Sequence, residues 1–123
     1  MAKIMLVDDD EGILELLEKF LVKIGHEVII ASSGEEALRK IGERPAIVLL
    51  DIMMPDMHGL KVLDRIKETA PSTEVIMITG LDETVVGVES LERGAFEFVA
   101  KPINLEHLKF LLDFKLGQMG IED

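Results

Sequence analysis

The sequence predicts an α/β fold: a doubly wound, five-stranded parallel sheet alternating with five helices, (βα)5, in a three-layer sandwich. Two patterns predict it. Short runs of Val, Ile, Leu and Met are apolar throughout rather than alternating, as strands covered on both faces require. Between them, apolar residues recur at intervals of three and four, the spacing of the helical crossovers that parallel strands need.

In chain order, the strands are expected at residues 4–7, 28–31, 46–50, 75–79 and, shorter, 96–100. The first helix carries Ile13, Leu16, Leu17, Phe20, Leu21 and Ile24 on one face and stops at Gly25. Ser33 followed by Glu36 makes a capping box that opens a second helix through Ala37, Leu38 and Ile41. Residues 60–69, 83–93 and 104–119 complete the helices. No linker, repeat or low-complexity tract divides the chain, so residues 1–123 are expected to form a single domain.

Composition narrows the function. With 123 residues, 48% of them apolar and 30% charged, the chain has the make-up of one globular domain with a real core. It contains no cysteine, which removes disulfides, thiolate metal sites and thiol catalysis. A formal charge of −11 repels a phosphate backbone, so direct nucleic-acid binding is not expected. The amino terminus turns acidic too early for a signal peptide, and no apolar run approaches the roughly 20 residues that span a bilayer, which places the protein in the cytoplasm and off the membrane. The histidines, His26, His58 and His107, are scattered without metal-site spacing and are expected at the surface.

The strand ends carry the chemistry. The first expected strand ends in Asp8, Asp9 and Asp10, the third in Asp51, the fourth in Thr79 and the fifth in Lys101. In a parallel sheet these tips share the edge where such folds bind ligands. Carboxylates that close repel one another, and a hard divalent cation resolves the conflict; an open, all-oxygen site suits Mg2+. Asp51 emerges directly from an apolar strand and needs a charge partner, which Lys101 can supply. A carboxylate so held can attack a phosphoryl group, with Thr79 donating to a phosphoryl oxygen and the small Gly80 permitting its approach.

The segments LVDDDEGI, LLDIMMPDMHGL, VIMITG and FEFVAKPIN, in this order and spacing, resemble the signature blocks of response-regulator receiver domains of two-component signalling, the chemotaxis-regulator-like group, over essentially the whole chain. The resemblance implies a flavodoxin-like fold and a phosphoprotein that takes a phosphoryl group from a histidine kinase or histidine phosphotransfer protein. Residue by residue it implies Asp51 as phosphoacceptor, Asp9 as direct Mg2+ ligand, Asp8 as a ligand acting through water, and the Met53 carbonyl as a further ligand. It also implies that Lys101 contacts the phosphoryl group, that the Lys101–Pro102 bond is cis, and that Thr79 and Phe98 form a switch. It implies no turnover enzyme, only phosphoryl uptake and slow self-dephosphorylation, with the apolar Met53 and Leu81 flanking positions that tune that hydrolysis. Phe98 lacks the hydroxyl of a tyrosine, so its position would answer to packing alone.

Other acids have structural roles to fill: Asp10 and Glu11 as cap and first-turn acids, and Asp56 in a turn after Pro55. In the last helix Leu105, Leu108, Leu112, Leu116 and Met119 share one face, at about 100° per residue, while Phe110 and Phe114 point away. Either those rings fold back onto a neighbouring helix, or they form a surface for a downstream partner or a homodimer. Two alternatives stand beside the receiver reading. An Mg2+ phosphatase of the haloacid dehalogenase type would need a second Asp where Met53 stands. A degenerate receiver serving only as a binding module would not need the full set of Asp8, Asp9, Asp51, Thr79 and Lys101.

Overall fold

A computed structural model describes residues 2–121 of the chain. Met1, Glu122 and Asp123, which the expected single domain includes, lie outside the described residues, as does the side chain of Leu81. The strands are β1 (Lys3–Val7), β2 (Glu27–Ala31), β3 (Ile47–Asp51), β4 (Glu74–Thr79) and β5 (Glu97–Ala100). The helices are α1 (Glu11–Lys23), α2 (Gly34–Lys40), α3 (Gly59–Thr69), α4 (Thr84–Glu92) and α5 (Leu105–Gln118). The sheet is wholly parallel with strand order β2-β1-β3-β4-β5. The order reverses between β1 and β3, so the switch point lies at the tips of the two strands that end in acids.

Alternation along the strands divides the core in two. Met5, Val7, Ile29, Val48, Leu50, Val75 and Met77 face α2, α3 and α4, where they meet Ala37, Val62, Leu63 and Ile66. Ile4, Leu6, Ile47, Leu49, Ile76, Ile78 and Val99 face α1 and α5, where they meet Leu14, Leu17, Leu21, Leu108, Leu111, Leu112 and Leu116. Each such side chain removed from water contributes roughly 1.5–3 kcal/mol, which is why continuously apolar strands are buried on both faces. The buried stripe of α5 includes Leu111 and is wider than the one expected from Leu108, Leu112 and Leu116.

Local signals set the helix ends. Asp10 caps α1 by accepting from the Gly12 and Ile13 N–H groups, and Gly25 ends it at φ 98°, a conformation costly for any residue with a Cβ. Ser33 Oγ accepts from Glu36 N at 3.1 Å. The reciprocal bond from Glu36 reaches one residue further back than a standard capping box, taking the Ser32 N–H at 2.7 Å. Among the histidines, His58 and His107 are exposed as expected. His26 is not: it is 5% exposed, and its Nδ1 accepts from Ala2 N at 3.2 Å, which moors the start of β1 beside β2.

Candidate functional site

Parallel register brings the chosen residues to one edge. Val7 pairs with Leu50 and Asp51 with Ile78, so Asp8, Asp51 and Thr79 lie side by side just at or beyond the last ladder bonds. Asp51 is the last residue of β3 rather than the first beyond it. Carboxylate oxygens of Asp8, Asp9 and Asp51 all lie within 4.8 Å of one another. Asp8 and Asp51 are 2% and 5% exposed, whereas Asp9 is open to solvent. Lys101, from beyond β5, brings Nζ to 3.4 Å from Asp8 Oδ2 and 3.4 Å from Asp51 Oδ1. The Lys101–Pro102 bond is cis, as expected.

The electrostatics are those of an under-neutralised pocket. Burial first, then the charge of Asp8, pushes Asp51 up to about 6, with Lys101 opposing. Burial likewise raises Asp8, against the Asp10 N–H, which donates to Asp8 Oδ1 at 2.9 Å, and against Lys101. Burial by itself would lower Lys101, but the charges of Asp51 and Asp8 outweigh it and hold the ammonium above its ordinary value. Among the described residues, Asp8 Oδ2 is buried and accepts no well-directed hydrogen bond, its charge being met by the Lys101 ammonium at 3.4 Å. An orphaned carboxylate oxygen beside two more carboxylates is the donor set of a hard divalent cation, so the residues present fit Mg2+.

The surrounding loops are built for close approach. Ile52 N donates to Ile78 O, and Gly59 N donates to Ile52 O at 2.6 Å, folding the β3–α3 loop over the tip of β3. A Cβ on Gly59 would fall 2.6 Å from Asp51 O, so only glycine lets α3 start there. Within the loop Met53 is exposed, and His58 caps α3 by accepting from Leu60 N through Nδ1. Asp56 does not close a local turn alone: it accepts from Gly34 N and Glu35 N, capping α2 from 21 and 22 residues away. Thr79 is buried, and its hydroxyl donates to Val99 O at 3.3 Å. Beyond it, Glu83 accepts the Gly80 N–H at 2.5 Å and ties down the β4–α4 turn, a contact the sequence reading missed although the three-residue spacing is that of a capping acid.

Phe98 is half-buried against the α4 side of the core. Phe110 and Phe114 do not fold back onto a neighbouring helix. They are 64% and 51% exposed and stack in a ladder on Phe96, each adjacent pair 6.4 Å between centroids. Lys115 Nζ stands 4.6 Å above the Phe96 ring.

An acidic pocket braced by a lysine, at the switch point of a 2-1-3-4-5 parallel sheet, defines an α/β domain that handles phosphoryl groups with a divalent cation. The sequence matches the response regulator receiver domain over residues 4–113, and the chain belongs to that family. It is 39% identical over 103 residues to the alkaline phosphatase synthesis transcriptional regulatory protein PhoP of Bacillus subtilis, covering 83% of this chain and 43% of that protein. It is 34% identical over 113 residues to a cyclic di-GMP phosphodiesterase of Thermotoga maritima, covering 92% of this chain and 30% of that protein. The chain thus spans less than half the length of these relatives. A response regulator receiver domain protein from Clostridium thermocellum superposes with a TM-score of 0.93 at 31% identity, covering 98% of both chains. The receiver domain of NtrX from Brucella abortus does so with a TM-score of 0.88 at 34% identity, covering 93% of this chain and 98% of that one.

The role of this domain is therefore that of a phosphoacceptor in signalling, and neither a haloacid dehalogenase-type phosphatase nor a bare binding module is favoured. Receiver domains are not, in general, enzymes, and they bind Mg2+ at an acidic pocket such as the one formed here. Among the described residues, no helix is long and apolar enough to cross a membrane.

Proposed function

We propose that Asp51 is the phosphoacceptor and that residues 1–123 act as one receiver domain, loaded in the cytoplasm by a histidine kinase or histidine phosphotransfer protein. The observation that carries this reading is the pairing of buried Asp51 with Lys101 inside the carboxylate cluster. Asp8, Asp9 and Asp51 hold Mg2+, with the Met53 carbonyl as a further ligand; when bound, the ion neutralises charge on the phosphoryl oxygens. Asp51 attacks as the carboxylate. Its new O–P bond forms as the N–P bond of the phosphohistidine breaks, and the imidazole leaves with the electron pair. Lys101 follows the transferred charge, exchanging part of its contact with Asp51 for a phosphoryl oxygen.

The loaded state is read through Thr79 and Phe98. The Thr79 hydroxyl now rests on Val99 O; turning it to a phosphoryl oxygen frees that carbonyl next to Phe98, whose ring repacks. Phe110 and Phe114 supply the surface for a downstream protein partner or a second copy, because an exposed aromatic ladder is costly to leave in water. With a charge of −11 the domain does not contact nucleic acid directly. Self-dephosphorylation is slow, Met53 limiting the approach of water.

The test is exposure to acetyl phosphate with and without Mg2+, followed by intact mass. A Mg2+-dependent gain of one phosphoryl group, lost in Asp51→Asn, is expected; no gain, or an equal gain in the variant, overturns the assignment. Phe110→Ala with Phe114→Ala is expected to abolish partner binding or self-association of the loaded protein while leaving that gain intact.

A further inference from the structure

Glycine inside a helix is unfavourable, because it has the most backbone freedom to lose. Gly87 stands in the middle of α4, between Val86 and Val88, in a helix already rich in β-branched residues. Its place is explained by the ring beneath it. A Cβ on Gly87 would lie 2.7 Å from Phe98 Cδ2, 2.9 Å from Cγ and 3.0 Å from Cε2. Those atoms belong to the root and one edge of a rigid ring, so they cannot give way as the end of a flexible side chain would.

Besides this contact, α4 reaches the core through the partly buried Val86. The helix buries only Gly87 and Ser90, and no side chain caps its N-terminus. Ser90 is 0% exposed and donates its hydroxyl to the Gly87 carbonyl at 2.5 Å, so its buried polar atom is satisfied within the helix turn that meets the ring. On the outward face Val85 is 81% and Val88 49% exposed. At its other side, Phe98 is the strand neighbour of Val99, whose carbonyl accepts the Thr79 hydroxyl.

We propose that Gly87 is a positioning residue: its missing side chain forms the seat in which the Phe98 ring rests against α4, so that the position of the ring decides how firmly the helix is held. This rests on the receiver reading, in which Thr79 and Phe98 respond to the phosphoryl group, and deepens it by naming what the ring acts upon. A ring that leaves the seat releases the helix. A methyl group in the seat expels the ring at rest and leaves nothing for phosphorylation to release.

The experiment is a double-mutant cycle of Gly87→Ala and Phe98→Ala in the whole chain, read by melting temperature, by hydrogen exchange of residues 84–92, and by intact mass after acetyl phosphate and Mg2+. Gly87→Ala should lower the melting temperature when Phe98 is present and raise it in the Phe98→Ala background, where only the gain in helix propensity remains. Loading of the wild type should accelerate exchange in 84–92 several-fold, whereas loaded Gly87→Ala should stay within about twofold of its own resting rate. A rise in melting temperature in both backgrounds, or an undiminished exchange response in loaded Gly87→Ala, overturns the proposal. Loss of the mass gain in the wild type would instead defeat the receiver reading, while the sign inversion of the cycle still judges the seat.

Discussion

The carboxylates at the strand tips and those at the start of α2 are the same chemical groups held in opposite states. Asp56 lies in the loop that follows Asp51, yet both its oxygens accept backbone N–H groups, from Glu35 and Gly34, which hold it below the ordinary carboxylate value. Glu36 is drawn down to about 2 by the Ser32 N–H and then by Lys40. Asp8 and Asp51 are buried with one lysine between them and are both raised. Acids that serve the fold have their lone pairs satisfied by the chain. Acids that serve the chemistry are left short of positive charge, and the shortfall is what a cation and a phosphoryl group use.

The largest effect expected from this contrast is a gain. Asp51→Asn should stabilise the metal-free protein by about 1–3 kcal/mol at pH 7.5, measured by urea unfolding in EDTA. The sign follows from the raised value. A carboxyl whose folded pKa is about 6, against an ordinary 3.8, favours the folded state fully only below 3.8 and loses that contribution as pH rises through 6. The gain from Asp51→Asn should therefore shrink towards zero near pH 4. A variant that is less stable than the wild type at pH 7.5 would remove the contrast altogether.

Cation addition tests the same shortfall from the other side. At ten millimolar or so, Mg2+ should raise the wild-type melting temperature at pH 7.5, by the logarithm of its excess over the dissociation constant, and should raise that of Asp51→Asn by clearly less. Lowering the pH below 6 should weaken the wild-type response, because the ion then competes with a proton on Asp51. Equal shifts in both proteins would mean that the ion binds elsewhere.

At α2 the sign reverses. Asp56→Ala should destabilise, leaving two N–H groups at the helix start without their acceptor, and hydrogen exchange of Gly34 and Glu35 should rise several-fold. Phosphoryl uptake at Asp51 should persist, since Asp56 points its carboxylate at α2 and is no member of the strand-tip cluster. Loss of uptake with an intact fold would make Asp56 a site acid and erase the distinction.

How far each set was legible follows from how its contacts run. The strand-tip acids could be read directly, because in a parallel sheet each strand's last residue reaches the same edge, and the runs ending in Asp8, Asp51 and Thr79 were unbroken apolar stretches. The cap by Asp56 could not, since it joins loops 21 and 22 residues apart and nothing local in the sequence marks its acceptor role. His26 was misplaced at the surface for a related reason: its environment is set by the Ala2 amide across β1 and β2, not by its neighbours in sequence. Gly87 carried no signal in the sequence, because the ring that explains it comes from β5, eleven residues further along the chain.

Smaller still is the contribution of the Ser33 hydroxyl, whose loss in Ser33→Ala should cost about 1 kcal/mol by urea unfolding, equally at pH 7 and at pH 4, because a hydroxyl does not titrate.

The smallest expected effect separates charge from geometry at α2. Glu36→Gln keeps an oxygen that can accept the Ser32 N–H but gives up the charge and the pairing with Lys40, whose Nζ lies 2.9 Å from Glu36 Oε2. A half-exposed pair four residues apart on a helix contributes about 0.5 kcal/mol, so the loss at pH 7 should be of that order. The folded value of Glu36 is depressed to about 2 from 4.5, so its contribution is complete above 4.5 and fades as pH falls towards 2. The gap between wild type and Glu36→Gln should accordingly be smaller at pH 3.5 than at pH 7; like that of Asp51→Asn it closes on acidification, but from the opposite sign, the variant here being the less stable protein. A Glu36→Gln variant more stable than the wild type at pH 7 would show that Glu36 is held like a strand-tip acid, and that satisfied and unsatisfied carboxylates cannot be told apart here by which groups donate to them.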